Sequence, residues 1–150
     1  MSLRRLAILA AAAASLAAPA CTGLPRGWHA AKASHPADPA TGAWRGTWLS
    51  ASNGHQGGLR AVVSTIPDQQ GMLRFRYRAS WKHFLCAGFS VDCLASPQPD
   101  GSISLSGSKD LGPLFGGTFS HYGTIHNNSL NATYHSSMDH GSMTLQRLNR

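Results

Sequence analysis

Hydrophobic and polar residues alternate with a period of two along most of the chain after residue 41. The clearest run is 72–81, where apolar residues alternate with Arg74, Arg76 and Arg78. Because successive side chains of a strand point to opposite faces, this pattern predicts a β-strand with one buried face. Similar runs, separated by Pro-, Gly- and Asn-rich turns, predict eight strands at residues 42–50, 58–66, 72–81, 84–94, 102–106, 118–125, 130–136 and 141–148.

These strands predict an all-β fold, because no amphipathic segment of helix length separates them. An antiparallel sheet of eight strands either folds into a sandwich or closes into a barrel. Closure removes the unpaired edges, and eight strands leave an interior that side chains fill or that holds one small ligand. We therefore predict one domain over residues 42–150, a single antiparallel up-and-down eight-stranded β-barrel.

The residues before the barrel are typical of an export signal. Residues 1–5 are basic and residues 6–16 are apolar. This apolar run is shorter than the roughly 20 residues that span a bilayer, which favours a signal peptide over residues 1–20. The segment that follows, residues 22–41, is rich in Ala, Pro and Gly, and we expect a flexible tether there.

Cys21 follows Ala18 and Ala20, an arrangement that resembles both an ordinary signal-peptidase site and a bacterial lipobox. We expect lipidation of Cys21 and a membrane contact through that lipid anchor. The expected location is the cell envelope, at the outer membrane and facing the periplasm or the exterior. The alternative is a soluble secreted protein whose N-terminal thiol is captured by an oxidising compartment.

Composition narrows the function classes. The chain has 13 Lys and Arg against 6 acidic residues, a formal charge of +7, yet only 13% of its residues are charged. That fraction is too low for a disordered charged tail. Phosphate-binding, dinucleotide-binding, HExxH and GxSxG motifs are missing from the sequence. We therefore expect that the protein is not an enzyme and needs no cofactor. Because the export signal takes the chain out of the cytoplasm, we do not expect nucleic acid as a partner. The sequence leaves the oligomeric state open.

Gly42-x-Trp44 opens the first strand, and Arg147 lies near the end of the last. This pair resembles the Trp and Arg of lipocalin and fatty-acid-binding (calycin) barrels. If the first and last strands are neighbours, Trp44 and Arg147 can stack through a cation–π contact and close one barrel end. We therefore expect both residues to be structural.

A wider resemblance is carried by short motifs along most of the barrel. They are Trp44-x-Gly46-x-Trp48, Asn53-Gly54-His55, Asp110-Leu111-Gly112, Gly116-Gly117 and Asp139-His140-Gly141. Together they resemble a family of small secreted bacterial barrel proteins. The chain departs from that family at Cys86, Cys93 and His121. The resemblance implies the fold and no particular activity.

An up-and-down barrel collects every second connection at one end, and here that end gathers the polar groups. We expect a small apolar or amphipathic ligand to enter there, above an interior of aromatic side chains. The alternative is a structural or partner-binding module with a filled barrel. The expected ligand-binding residues of this mouth and interior are Trp48, Asn53, His55, Phe75, Tyr77, Asp110, Phe119, Tyr134, Asp139 and His140, with Leu145 also inside.

Three weaker hypotheses concern particular side chains. A metal site formed by His55, Asp139 and His140 is conceivable, since imidazole and carboxylate suit Zn²⁺, although these residues equally suit turn-shaping hydrogen bonds. A disulfide between Cys86 and Cys93 needs a turn or bulge between them, because straight strand separates them by about 23 Å. The arginines of residues 72–81 form an outer basic stripe that can meet anionic lipid or polysaccharide, or simply be solvated.

Overall fold

The computed structural model describes residues 23–82 and 85–148, most of which form a closed antiparallel β-barrel. A short helix, α1 (Trp28–Ala33), precedes the barrel. Each strand pairs with the next in the chain, and the last pairs with the first, so the predicted all-β up-and-down barrel is confirmed. The strands are β1 (Gly42–Ser50), β2 (Gln56–Thr65), β3 (Met72–Trp81), β4 (Leu85–Pro97), β5 (Ile103–Asp110), β6 (Thr118–His126), β7 (Ser129–His135) and β8 (His140–Arg147).

β4 and β5 run further than the sequence predicts. β4 continues to Pro97. Proline has no backbone N–H to donate, but at the last residue of a strand this interrupts no further pairing. β5 continues through the polar residues 107–110, which show no alternation, because their backbone stays paired with β6 as far as Thr118. Backbone pairing therefore lengthens both strands beyond their hydrophobic pattern.

The topology gives the barrel two ends. The loop end carries the β1–β2, β3–β4, β5–β6 and β7–β8 connections, and the turn end carries the other three connections, the start of β1 and the end of β8. Between them, inward side chains form one core. Its most deeply buried members are Trp44, Leu59, Phe75, Tyr77, Val91, Cys93, Leu105, His121, Leu130 and Leu145.

The described part of the expected tether is packed against the barrel. Trp28 of α1 is buried against Ala43 and Val62 on the outside of the barrel, with the Arg60 guanidinium 5.9 Å from its ring centroid. Beyond α1, the chain crosses the turn end before entering β1. Residues 28–41 are therefore bound to the barrel at several points; the expected signal peptide and Cys21 lie outside the described residues.

Trp44 and Arg147 are cross-strand neighbours, as expected, but the Arg147 guanidinium binds backbone. Its Nε donates to Thr41 O at 3.0 Å, and its Nη2 donates to Asp38 O at 2.8 Å and Pro36 O at 3.1 Å. The Trp44 indole donates to Ala40 O at 3.0 Å. Together the two side chains hold the segment before β1 across the turn end. The sequence does not reveal this role, because every acceptor is a backbone carbonyl and no residue type marks it.

The hypothesis of a Cys86–Cys93 disulfide is wrong. Cys93 is a free, fully buried thiol and therefore does not pair with Cys86. The physical reason is the regular pairing of β3 with β4, which runs from Met72↔Leu94 to Trp81↔Leu85 without a bulge. Unbroken strand therefore keeps the two sulfurs far apart.

Within the residues that the structure describes, no helix is long and apolar enough to cross a membrane.

We predict that Gly46→Ala weakens barrel closure. A Cβ at this position would overlap the backbone carbonyl of Thr144 on β8, and backbone cannot swing away as a side chain can. The expected loss in free energy of unfolding is about 1–3 kcal/mol or more, as for overpacked sites, measured by urea titration. Thr47→Ala, a neighbouring exposed position of β1, is the control and should change stability little; equal stability of the two variants would contradict the role of Gly46.

Candidate functional site

The loop end contains a small cavity of about 150 Å³. Aromatic rings dominate its wall: Trp48 and Trp81 meet edge to face at 6.1 Å, and Phe119 stacks on Tyr134 at 5.9 Å. Four residues of this wall, Trp48, Phe119, Tyr134 and Asp139, are among the ligand-binding residues predicted from the sequence. Trp81 was not predicted as a site residue, although the alternation in β3 already places it on the inner face. The full lining is Trp48, Leu59, Ala79, Trp81, Phe89, Phe119, Tyr134, Asp139 and Met143.

Asp139, the acidic residue of this cavity, is held by two hydroxyl groups. Ser50 Oγ donates to its Oδ1 at 2.5 Å, and Tyr134 Oη donates to its Oδ2 at 3.0 Å. Burial and the neighbouring Asp139 raise the pKa of Tyr134, so the phenol stays a donor. The Oδ1 bond therefore ties β1 to the β7–β8 hairpin, and the Oδ2 bond stabilises the hairpin itself.

The other polar residues predicted at this end shape their own loops. Asn53 Oδ1 accepts from the backbone N–H of His55, and Asp110 Oδ1 accepts from that of Gly112, both at 2.8 Å. Each is an Asx-type turn closed two residues along the chain. Ser52 Oγ lies 2.9 Å from His140 Nδ1.

The residues of the metal hypothesis, His55, Asp139 and His140, do not form a cluster that could hold a metal ion. Over residues 23–82 and 85–148 no group of three or more His, Cys or Asp side chains is placed to hold a metal ion. Asp139 turns inward to Ser50 and Tyr134, whereas His140 is exposed on the outer surface. The turn-shaping alternative describes His55, Asp139 and His140 better.

The middle of the barrel is filled by a hydrogen-bonded chain of three polar side chains. Tyr77 Oη lies 2.9 Å from His121 Nε2, and Cys93 Sγ lies 3.2 Å from His121 Nδ1. Phe75 packs against the imidazole at a centroid distance of 5.6 Å. The alternation places all three inward, so the sequence contains the signal for this cluster, but only the strand register brings them together.

Burial keeps this cluster uncharged near neutral pH. It lowers the pKa of His121 to about 4, because the imidazolium loses its solvation there. It raises the pKa of Cys93 to about 12 and that of Tyr77 well above its usual value, in both cases with a smaller contribution from a neighbouring ionisable group. A thiol so rarely ionised is a poor nucleophile, so the cluster serves as a polar centre of the core.

A second and larger cavity, of about 990 Å³, lies at the turn end. The sequence predicts that this end is shut, and the structure corrects that expectation: the segment before β1 stands as one wall beside the opening. The opposite walls come from the β2–β3 and β4–β5 connections, joined where Ala95 N donates to Gly71 O at 2.8 Å. The lining residues are Asp38–Ala40, Thr65, Ile66, Asp68–Leu73, Ala95, Pro97, Gln98 and Gly101–Ile103.

The lining of the turn-end cavity is apolar below and polar at the rim. Ile66, Leu73 and Ile103 form the apolar part, and two carboxylates, Asp38 and Asp68, lie among the polar residues with three glutamines. The lining residues include no Lys, Arg or His. The cavity therefore suits an apolar group joined to a neutral or cationic polar group.

The basic stripe on β3 is partly neutralised within the barrel. Arg74 forms a two-pronged ion pair with Asp92, at 2.7 Å and 2.8 Å. This pair lowers the pKa of Asp92. Arg76 donates to Ser64 Oγ at 3.3 Å. The arrangement favours a solvated outer face over a polyanion-binding surface.

The fold is a closed, eight-stranded, antiparallel up-and-down β-barrel. Comparisons with protein-family models, with curated protein sequences and with solved structures found no match. The likeness to lipocalins therefore rests on the closed barrel.

We predict that His121 makes stability depend on pH. Its pKa of about 4 in the fold lies below the ordinary value near 6.5, so unfolding takes up a proton between these values. Stability is full above pH 6.5 and falls as the pH drops towards 4, by about 3 kcal/mol in total. Urea unfolding of the wild type and of His121→Phe at several pH values from 7.5 to 4.5 measures the difference in slope.

The control is His126→Gln, which replaces an exposed histidine of the same strand and should keep the wild-type slope. Equal slopes for the wild type and His121→Phe would contradict the role of His121, whatever the absolute stability of that variant.

Proposed function

We propose that this chain binds a small amphipathic molecule in its turn-end cavity. The observation that carries the proposal is the cavity's volume, about 990 Å³. Pockets for small ligands commonly measure about 300–1,000 Å³. The loop-end cavity, about 150 Å³, matches the size that accepts a single benzene ring. We therefore assign the ligand to the turn end and not to the polar mouth expected from the sequence.

The chemistry of the walls supports a ligand with a neutral or cationic head group. Asp38 and Asp68 supply negative charge near the rim, and the glutamines supply amide donors and acceptors. An anionic head group would meet repulsion from these carboxylates with no lining cation to offset it. Ile66, Leu73 and Ile103 offer the apolar surface that a hydrocarbon group buries.

Trp44 and Arg147 support the same assignment by holding the N-terminal wall. Arg147 binds the carbonyls of Pro36, Asp38 and Thr41, and Trp44 binds that of Ala40. Asp38 Oδ1 also accepts from Ala40 N at 2.7 Å. A wall held by this many bonds keeps the cavity preformed, which lowers the entropic cost of binding.

The second candidate is a structural or partner-binding barrel whose outer surface carries the function. The filled centre favours it, because Phe75, Tyr77 and His121 occupy the space where many eight-stranded barrels hold a ligand. The two candidates differ in whether the turn-end cavity takes up a molecule.

We propose, in addition, that the chain is exported and anchored in the cell envelope through a lipid on Cys21. The basic and apolar segments of residues 1–16 and the small residues before Cys21 support this proposal. An acylated Cys21 uses its sulfur in the thioether and cannot also form a disulfide with Cys86. Soluble secretion with Cys21 in a disulfide is the alternative.

We predict that a cationic ten-carbon amphiphile binds and that filling the turn-end cavity abolishes this binding. Ala95 lines the turn-end cavity and Ala79 lines the loop-end cavity, so Ala95→Phe and Ala79→Phe are a matched pair. Titration calorimetry with decyltrimethylammonium, below its micelle concentration, should show affinity at least tenfold weaker in Ala95→Phe and unchanged in Ala79→Phe. Decanoate, with the same chain length and an anionic head, should bind more weakly to the wild type.

Circular dichroism of both variants checks that they fold, since overpacking costs about 1–3 kcal/mol. Loss of binding in Ala79→Phe alone would show that the ligand binds at the loop end, as the sequence predicts. No binding of either amphiphile to the wild type would favour the filled barrel that acts through its surface.

We predict that the mature chain begins at Cys21 and carries diacylglyceryl and acyl groups. At a lipobox the residue that becomes the N-terminus after cleavage is the same cysteine that carries the lipid. Intact-mass measurement and membrane fractionation in a lipoprotein-processing bacterium test this, with Cys21→Ser released from the membrane. An unmodified mass with Cys21 in a disulfide would establish the soluble alternative.

A further inference from the structure

Two histidines face each other on the outer surface near the loop end. His135 ends β7, His140 begins β8, and the two are direct cross-strand partners. Both are exposed, and their rings are 6.0 Å apart between centroids and inclined by 32°. Cross-strand partners lie on the same face of a sheet, so both imidazoles reach into one volume of solvent.

This separation suits a shared metal ion. An ion about 2.0–2.1 Å from one nitrogen of each imidazole holds the two ring centroids at most about 6.4 Å apart. The observed separation of 6.0 Å lies just inside that limit. A slight rotation of these exposed side chains brings the rings closer and so gives a smaller nitrogen–metal–nitrogen angle. One ion can therefore bind both rings without a change in the backbone.

Ser52 orients one of the two rings. Its Oγ lies 2.9 Å from His140 Nδ1 and accepts the backbone N–H of His140 at 3.2 Å. A metal-bound histidine usually bonds an oxygen through its other ring nitrogen, which fixes the tautomer. With Nδ1 held by Ser52, Nε2 of His140 is the nitrogen that remains for a metal.

The β7–β8 turn keeps both histidines in place. Ser136 N donates to Asp139 O at 2.7 Å, and Ser136 Oγ accepts from Asp139 N at 3.1 Å. The Asp139 side chain is directed to Ser50 and Tyr134 and so leaves the ligand set to the histidines. The pair is thus preorganised by a short, hydrogen-bonded hairpin.

We propose that His135 and His140 bind one divalent transition-metal ion on the outside of the barrel. Imidazole nitrogen suits copper, nickel and zinc, and Cu²⁺ binds most tightly in the usual affinity order. The chain supplies two ligands, and water completes the coordination. This site is separate from the turn-end cavity, so either assignment can fail without the other.

Titration of the purified chain, carrying no affinity tag, with CuCl₂ tests the proposal. Substoichiometric Cu²⁺ should first broaden the NMR amide signals of residues 134–141 and of Ser52. Electron paramagnetic resonance should show two coordinated nitrogens. His135→Gln and His140→Gln should each weaken binding at least tenfold, and Ser52→Ala should weaken it less while keeping two nitrogens.

His126→Gln, an exposed histidine on β6, is the matched control and should bind Cu²⁺ as the wild type does. Wild-type affinity in His135→Gln, or first broadening elsewhere in the chain, would overturn the proposal. Loss of binding in His55→Gln would also overturn it, since His55 is not a member of the pair. Thermal unfolding without metal confirms that each variant is folded.

Discussion

Pairing of β1 with β8 is the constraint on which the rest of the structure depends. It closes the sheet from Trp44↔Arg147 to Ser50↔Gly141 and removes both edges. Gly46 allows the close approach of the β8 backbone. Closure also decides which connections share an end, and it brings Arg147 beside the segment that enters β1. Both cavities are consequences of that arrangement, which also brings Ser52 beside His140.

A filled centre divides the closed barrel into two unequal spaces. Tyr77, His121 and Cys93 satisfy one another's polar atoms in the middle, so a polar cluster is buried at little cost. What remains is a small aromatic cavity at the loop end and a large one at the turn end. By analogy with barrels that bind a ligand at an open mouth, the loop-end cavity would be the expected ligand site. We propose the turn-end cavity instead because of its volume and lining.

The fold could be predicted from the sequence because strand alternation is a local property. Phe75 and Tyr77 alternate with arginines, and their side chains lie inside as expected. The turn-end cavity could not be predicted, since its walls are turn residues and backbone held by Arg147. The Cys86–Cys93 hypothesis was wrong because it required a turn or bulge that the regular β3–β4 pairing does not contain. Residues 107–110 show no alternation, so the sequence did not predict them as part of β5; their pairing with β6 places them there.

The most direct test of ligand binding at the turn end uses the tryptophan indoles as reporters. The Trp44 indole binds Ala40 O at the turn-end wall, and the Trp48 indole binds Ser80 O, at 3.2 Å, near the loop end. Two-dimensional NMR during addition of decyltrimethylammonium should shift the Trp44 indole signal together with the Gly71 and Gly101 amides, and leave the Trp48 indole signal in place. Shifts confined to the Trp48 and Trp81 indoles would contradict the account.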